Sequence, residues 1–448
     1  MKPIQKFFEY SPTEDQVNAM HALDRFISDE SDTDVFILDG SAGTGKTSLM
    51  KAVVNCVFKC GGKVQLAAPT GRAAKVLRQH TGTGAKTIHS LIFRTSETPD
   101  GKIEFERREV EPGKPTLFIV DEASMISDEH DRSGNFIAPG ALLSELLRYI
   151  KLTNAKSKVL FIGDRCQLPP VMKFSNPFSG ALDENYLRKK FKLSVEALSI
   201  RQVVRQKESS PVLTLATALR ERIECNNVSP LAIEPSAAWW QLRDYYVSEY
   251  SSEQLDRACV IAYTNKDVNF WNQQIRDHLF GSPDALLVSG EQVIFHENWL
   301  ATGTHIMKGD SAVIESVSDD TEVFAGLHFK DVQLKYEDHN GQWASFQSKC
   351  LLETLNSEKG ALMKEQEKAL RAEVMKKNEK YRKSLMRIDD PYLSAFRLRY
   401  GYAMTCHKAQ GGEWDRVILH PYRPGTDSNR WTYTAVTRAR TELLTWAA

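Results

Sequence analysis

The sequence predicts an α/β protein of two parallel-sheet domains, the first with a small β-hairpin insertion and the second with an antiparallel barrel and a helical segment. Three observations predict it. Short apolar runs, each ending in a turn and followed by a helical pattern, recur at 35–38, 63–68, 116–120 and 159–162, as strands buried on both faces do. The alternation restarts after about residue 190, with apolar runs at 259–262, 416–420 and 443–446. Between 287 and 395 the texture changes to alternating stretches divided by turns, the pattern of an antiparallel sheet.

Bulk properties bound the rest. A chain of 448 residues is too long for one core, and about two to four domains is the expectation. With 58 basic and 58 acidic residues the net charge is zero, which excludes a globally basic nucleic-acid binder and leaves only a local groove. The seven cysteines form no C-x-x-C pair and no zinc spacing, so reduced thiols of a cytoplasmic protein are expected. MKPIQKFFEY lacks an apolar signal core, and no apolar stretch approaches the ~18 residues of a membrane span.

The run at 35–38 leads into Gly40-Ser41-Ala42-Gly43-Thr44-Gly45-Lys46-Thr47, which fits G-x-x-x-x-G-K-[ST] at every fixed position. Gly40, Gly43 and Gly45, with Thr44 between them, let backbone N–H groups wrap a phosphate. The helix predicted over 48–58 then begins with its positive dipole end at that phosphate. Such a loop binds a nucleoside triphosphate. Lys46 reaches the β- and γ-phosphates, and the Thr47 hydroxyl holds Mg²⁺. Upstream, Gln16 opens an apolar helical pattern through Val17, Met20, Leu23, Phe26 and Ile27. An amide there reads an adenine edge through paired hydrogen bonds, or is a plain surface glutamine.

The run at 63–68 is stopped by Pro69, and Thr70-Gly71 and small alanines open a helix. Thr87-Ile88-His89-Ser90 follows; alone, His89 reads as a structural histidine. Residues 94–113 break the alternation, and Pro99-Asp100-Gly101 marks the turn of a polar hairpin. Phe105 is its large aromatic, and an exposed ring there suggests stacking on something flat; the alternative tucks it under its own hairpin. The run at 116–120 ends in Asp121-Glu122. A carboxylate at a strand end holds Mg²⁺ through water, and the next glutamate polarises an attacking water. The run at 159–162 ends in Gly163-Asp164-Arg165-Cys166-Gln167, placing the Gln167 amide to sense the γ-phosphate. Four strand ends converge on one crevice, as ligand sites in open α/β sheets do, and this domain is expected to end near residue 190.

The second alternation has no phosphate loop. Residues 198–206 lead into a helix over 211–222, the run at 259–262 ends in Tyr263-Thr264-Asn265-Lys266, and Thr405-Cys406-His407-Lys408 precedes Glu413. Residues 433–440 read as a helix carrying Arg438. This domain serves to present Arg205 and Arg438 as arginine fingers. The barrel is predicted from 291–295, 310–317 and 332–336. From Glu358 to Arg387 there are ten Lys/Arg and five Asp/Glu. That is one long solvated helix or a helical pair, its charge facing water or nucleic acid.

GSAGTGKT, AAPTGRAAK, TIHS, VDEASM, GDRCQLPPV, VVRQ, AYTNK, TCHKAQGGEWD and YTAVTRAR occur in this order between residues 40 and 440. With them the chain resembles the superfamily 1B DNA helicases of the RecD/Dda branch; its length and short hairpin are most similar to Dda. The resemblance is weakest over 287–395, and it gives the 125–157 connection and the charged segment no role. It implies two RecA-like motor domains: 1A (1–93 and 114–190), interrupted by the hairpin 1B (94–113), and 2A (191–286 and 396–448), interrupted by 2B (287–395), an SH3-like barrel with the charged helical segment. It implies ATP and Mg²⁺ chemistry at Lys46, Thr47, Asp121, Glu122, Gln167, Arg205 and Arg438. Glu122 is then the general base, Gln16 reads adenine and Glu413 the ribose. Pro69, Thr70, His89, Thr264, Asn265, Thr405, His407 and Lys408 hold single-stranded DNA, with Phe105 on the pin that splits the duplex. The implied activity is 5′-to-3′ translocation and unwinding in replication, recombination or repair. The implied setting is the cytoplasm of a bacterial cell or phage-infected host. Implied partners are single-stranded DNA, single-strand/duplex junctions and single-strand-binding or replication proteins, for a monomer away from membranes. Two other classes compete: a translocase that strips proteins from single strands with little unwinding, and a non-motor P-loop binder or small-molecule kinase. The last has no use for Arg205, Arg438 or residues 405–411, and predicts ATPase activity indifferent to DNA.

Overall fold

Apolar runs without polar interruption can only be covered from both sides, and the first sheet is built that way. The computed structural model describes residues 3–28, 31–97, 103–110, 112–130, 136–171, 178–203, 210–282, 284–301, 304–337, 342–357, 361–421, 425 and 427–447. It comprises two compact units, Met1–Glu224 and Cys225–Ala448. In chain order the first contains α1 (Glu14–Phe26), β1 (Val35–Gly40), α2 (Lys46–Lys59), β2 (Lys63–Ala68), α3 (Gly71–Thr81), β3 (Ala85–Thr87), α4 (Ile88–Ile92), β4 (Phe93–Glu97), β5 (Ile103–Arg107), β6 (Thr116–Val120), β7 (Phe136–Ile137), α5 (Leu142–Thr153), β8 (Lys158–Gly163), α6 (Glu184–Phe191), β9 (Val195–Ile200) and α7 (Pro211–Glu224). Six strands form a parallel sheet in the order β3-β2-β6-β8-β1-β9. Alternate residues of β1 serve opposite faces. Phe36 and Leu38 pack with α1, α2 and α3, while Val35 and Ile37 pack with α4, α5 and α6.

The sequence places a domain boundary at 190 and reads 198–206 as the opening of the second domain. The structure differs: β9 pairs with β1 from Val35–Val195 to Gly40–Ile200, so it closes the first sheet, and α7 completes that unit. The segment VEALSI carries Glu196 and Ser199 on an edge strand, so it lacks the continuous apolar run that marks a central strand.

The 125–157 connection acquires a structural role. Its β7 adds a third strand to the hairpin β4–β5, pairing parallel with β5 at Ile103–Phe136 and Glu104–Ile137. Its α5 then presents Glu145, buried, to Arg107 of β5 through two hydrogen bonds of 2.7 and 2.6 Å. That fork braces the hairpin, and the Arg107 contact, with burial opposing it, holds the Glu145 carboxyl below its usual range.

The second unit contains α8 (Trp239–Glu249), β10 (Ala258–Ala262), α9 (Asn265–Phe280), β11 (Gln292–Phe295), β12 (Trp299–Ala301), β13 (Thr304–Ile306), β14 (Ser311–Val317), β15 (Glu322–Phe324), β16 (Leu327–Glu337), β17 (Trp343–Leu351), α10 (Lys364–Lys377), α11 (Glu379–Ser384), β18 (Leu398–Tyr400), β19 (Ala403–Thr405), α12 (Cys406–Ala409), β20 (Trp414–Leu419), α13 (Ser428–Val436) and β21 (Ala439–Thr445). Its parallel sheet runs β19-β10-β20-β21. The predicted barrel is a curled antiparallel sheet, β15-β16-β14-β11-β18 with β17 on β16. A single bridge, Cys350–Phe396, returns β17 toward β18, so the described pairings stop short of a continuous ring. The charged segment is a helical pair broken at Asn378, whose side chain accepts from the Tyr381 N–H and starts α11. It is not merely solvated: Leu370, Val374 and Tyr381 are buried against Leu327, Phe329 and Leu351 of the curled sheet. No helix among the described residues is long and apolar enough to cross a membrane.

Candidate functional site

The phosphate loop is shaped by glycine where only glycine fits. Gly43 and Gly45 take φ of 79° and 81°, in the left-handed region that side chains resist. A Cβ on Gly45 would also stand 2.5 Å from Gln16 Nε2. At Gly40 it would meet Ile200 O at 2.9 Å and Thr44 Oγ1 at 3.0 Å. Thr44 Oγ1 donates to Ser41 O at 2.8 Å. Lys46, the first residue of α2, donates through Nζ to the Gly40 and Ser41 carbonyls at 2.6 and 2.7 Å. Thr47 follows it, partly exposed.

Gln16 is 1% exposed. Its Nε2 donates to Thr44 O at 2.8 Å, and its Oε1 accepts from Thr13 N at 3.0 Å as half of a capping box. The amide, read from sequence as an adenine contact or a plain surface glutamine, is turned inward, tying α1 to the phosphate loop with both its atoms engaged in this conformation.

Asp121 and Glu122 lie at the end of β6, and Asp164 to Gln167 at the end of β8, which lies between β6 and β1. Glu122 has a φ of 51° and donates its N–H to Asp121 Oδ1 at 2.9 Å. A left-handed non-glycine residue costs about 1–2 kcal/mol, and such strain gathers at working sites. Gln167 is 4% exposed, and its Oε1 is buried without a hydrogen-bond partner.

Sequence reasoning misses the residue that braces this loop. Arg220 of α7 is 9% exposed and lies 3.6 Å from Asp39 Oδ2 and 3.5 Å from Asp164 Oδ1. Those two carboxylates also accept from the backbone N–H groups of Arg165 and Cys166, at 2.9 and 3.0 Å. Arg220 therefore neutralises the two buried acids that fold the turn carrying Gln167. On the helix predicted over 211–222 nothing in the local sequence distinguishes it from its neighbour Arg222.

The hydroxyls predicted along a strand-binding track share one structural position. Thr70 follows β2 and Thr264 follows β10; each caps the next helix, accepting from Ala73 N at 3.2 Å and Asp267 N at 3.0 Å. Thr405 likewise precedes α12, and Pro69 lies just before Thr70. Asn265 is the first residue of α9 and is exposed, as are His407 and Lys408 on α12. Desolvation by the surrounding protein lowers the pKa values of His89 and, although its side chain is exposed, of His407.

Two expectations change. Phe105 is half-buried, its ring 5.5 Å from Phe93 and 5.3 Å from His89, because β4 and α4 supply the partners that its own segment lacks. Arg438 lies beyond the end of α13 rather than on it, and it is 3% exposed. Its guanidinium donates to Thr434 O, Gly412 O and Thr437 Oγ1 at 3.1, 3.2 and 3.2 Å, so it is turned into its own unit. Glu413 is 3.6 Å from Arg440 Nε. Arg205 falls outside the described residues.

A parallel sheet whose first strand runs into this loop, flanked by strands ending in Asp-Glu and in a buried glutamine, defines a P-loop NTPase. Residues 13–228 match the family model of the AAA domain, and residues 400–444 that of the UvrD-like helicase C-terminal domain. The chain is 26% identical over 415 residues to the ATP-dependent RecD2 DNA helicase of Deinococcus radiodurans, covering 90% of this chain and 46% of that one. It is 28% identical over 298 residues to the ATP-dependent DNA helicase dda of Enterobacteria phage T4, covering 64% and 61%. It thus spans about half to three-fifths of these relatives' length. In fold it matches the Pif1 helicase from Bacteroides in complex with ADP-AlF3 and ssDNA, with a TM-score of 0.51 at 18% identity over 98% of this chain and 93% of that one. The Pif1 helicase from Candida albicans gives 0.51 at 16% identity over 98% and 95%. In sequence these matches support a helicase similar to the superfamily 1B RecD/Dda group, and in fold the chain is similar to Pif1.

Proposed function

We propose that this chain is an ATP-driven DNA helicase that moves 5′ to 3′ on single-stranded DNA and opens duplex at a junction. The observation that carries the reading is the convergence of Lys46, Asp121, Glu122 and Gln167 on the carboxyl ends of three adjacent parallel strands, where an open α/β sheet binds its ligand. Lys46 would leave the loop carbonyls for the β- and γ-phosphates. Thr47 and Asp121 offer the hard oxygen ligands that suit Mg²⁺, which when bound would neutralise phosphate charge. Glu122 would hold the attacking water and accept its proton, with Gln167 Oε1 as a second acceptor. Arg205 and Arg438 are the candidate fingers, and Arg438 would first have to release its three oxygen partners. Gln16 would likewise exchange partners to read adenine, and Glu413 would exchange Arg440 for the ribose.

In this reading the first unit, with its braced hairpin, is a motor domain, and the second is its counterpart, with the curled SH3-like sheet and helical pair as its insertion. Pro69, Thr70, His89, Thr264, Asn265, Thr405, His407 and Lys408 would hold single-stranded DNA by hydroxyls, amides and cations, a sequence-blind chemistry. The direction rests on the family resemblance. A second reading, a translocase with little unwinding, is favoured by one observation: Phe105 packs into the hairpin base.

The test is ATP-dependent opening of a short duplex bearing a 5′ or a 3′ single-stranded tail. Opening of the 5′-tailed substrate alone is expected. No opening with DNA-stimulated ATPase intact would select the translocase, and neither activity would return the chain to a non-motor P-loop protein.

A further inference from the structure

Burying a guanidinium without a counter-charge is unfavourable, so an arginine left in that state asks for an explanation. Arg399, on β18, is 6% exposed. Its Nη2 donates to the neutral Asn269 Oδ1 at 2.9 Å, and it makes no ion pair among the described residues. Asn269 is held in turn, its Nδ2 donating to Asn356 O at 3.3 Å, so the amide oxygen is fixed toward the arginine.

Three further groups gather at this place from separate elements of the same unit. Arg399 faces Ile294 of β11 across the sheet, and His296 follows that strand, its N–H donating to Arg397 O at 2.9 Å. Lys308 lies in the turn after β13, fixed by its N–H donating to Asn298 Oδ1 at 2.8 Å. Lys408 stands exposed on α12. The charges are close enough to act on one another. Although the Lys408 side chain is exposed, desolvation by the surrounding protein, then Arg399 and Lys308, lowers its pKa to about 8. Burial, then Lys308, with Lys408 and Arg399 adding, lowers His296 to about 4. Glu297 opposes these cations at His296, and it is itself paired with Arg387 at 3.3 Å and Arg397 at 3.6 Å. The curled sheet and α12 therefore assemble a concentration of positive charge that the protein itself does not cancel.

We propose that Arg399, Lys308 and Lys408 together bind one backbone phosphate of a nucleic-acid single strand. The inference rests on the reading of the chain as a DNA motor, and extends the strand-binding surface from the motif residue Lys408 onto two residues that no motif contains. A planar fork held by Asn269 presents two donors to a phosphate oxygen pair, and the two lysines add charge without reading a base.

The test is equilibrium binding of a fluorescent oligothymidylate to the full chain, without nucleotide, across a range of salt concentrations. Arg399→Gln and Lys308→Ala are compared with the unchanged protein. Each is expected to weaken binding several-fold and to reduce the slope of log affinity against log salt, by about 0.7 for a lost single-strand phosphate contact. Lys308 is exposed, so its variant tests the site even if the buried Arg399→Gln fails to fold. Unchanged affinity and slope in Lys308→Ala and in any folded Arg399→Gln, with strong binding by the unchanged protein, would overturn the phosphate site and leave the motor reading standing. A site for free inorganic phosphate gives that same null result on DNA. No binding by the unchanged protein would overturn both.

Discussion

Two buried arginines, one in each unit, meet opposite surroundings. Arg220 sits between Asp39 and Asp164, its charge cancelled by acids that fold the turn bearing Gln167. Arg399 sits beside an amide, with lysines for neighbours. Arg220 lies at the ends of the parallel strands β1 and β8, whereas Arg399 lies on β18 at the edge of the curled antiparallel sheet. The difference separates two uses of a buried cation. A compensated one holds the protein's own backbone in place, while an uncompensated one is completed by an anion from outside. By that criterion Arg220 is a brace of its own unit, and Arg399 is the cation of the proposed phosphate site.

The largest expected effect breaks the comparison on the chemical side. Lys46→Ala should lower ATP turnover by on the order of 10² or more, because it removes the cation nearest the transferring phosphate. Single-strand affinity without nucleotide should survive. Steady-state hydrolysis and oligonucleotide binding on the same preparation decide it, and a variant that still hydrolyses ATP would sink the site assignment.

Stability sharpens the contrast between the arginines. Arg220→Met strands two buried carboxylates and should cost about 3–5 kcal/mol, as breaking buried charge networks does. Arg399→Met removes a buried charge that has no partner, so it should be close to neutral or stabilising. Chemical denaturation of the two variants side by side measures this. Equal losses would mean that Arg399 is as structural as Arg220.

A smaller effect is readable in pH. Lys408 titrates at about 8 through desolvation and the charges of Arg399 and Lys308, with His296 also facing it. Phosphate favours the charged lysine, so single-strand affinity should fall as pH rises through about 8, by at most about tenfold per unit for one proton. Stability carries the opposite sign: the folded pKa lies below the ordinary 10.5, so charging penalises the fold below about 8 and the penalty is relieved as pH rises toward 10.5. Lys408→Arg should flatten the affinity profile, and a profile still falling near pH 8 in that variant would assign the titration elsewhere.

What the sequence discloses follows from range of interaction. The phosphate loop and the strands beneath it are written in contiguous residues, so Gly40 to Thr47, Asp121 and Glu122 are legible as a motif. The edge strand β9 is not, because only Val195 and Ile200 are fully buried and Glu196 and Ser199 interrupt the apolar run. Arg220 and Arg399 are invisible for another reason: their meaning lies in partners distant along the chain, Asp39 and Asp164 for one and Asn269 for the other. The inward turn of Gln16 is equally a tertiary fact, since only folding brings Thr44 O within 2.8 Å of its amide.

The same long-range effect reverses the reading of Phe105, and it yields the finest test. The ring is held by Phe93 and His89 on a hairpin that Arg107 and Glu145 clamp to α5. Phe105→Ala should cost about 1–2 kcal/mol, less than the loss of a fully buried phenylalanine, and should lower the base pairs opened per ATP. Phe105→Leu separates two causes for that second loss. If the hairpin acts as a braced wedge, leucine restores the packing and the unwinding yield together. If the ring stacks on a base, leucine restores stability alone, because an aliphatic side chain offers no π-face to the base. The clamp makes the first outcome the expected one, since it fixes the hairpin as a body and leaves Phe105 as part of its foundation.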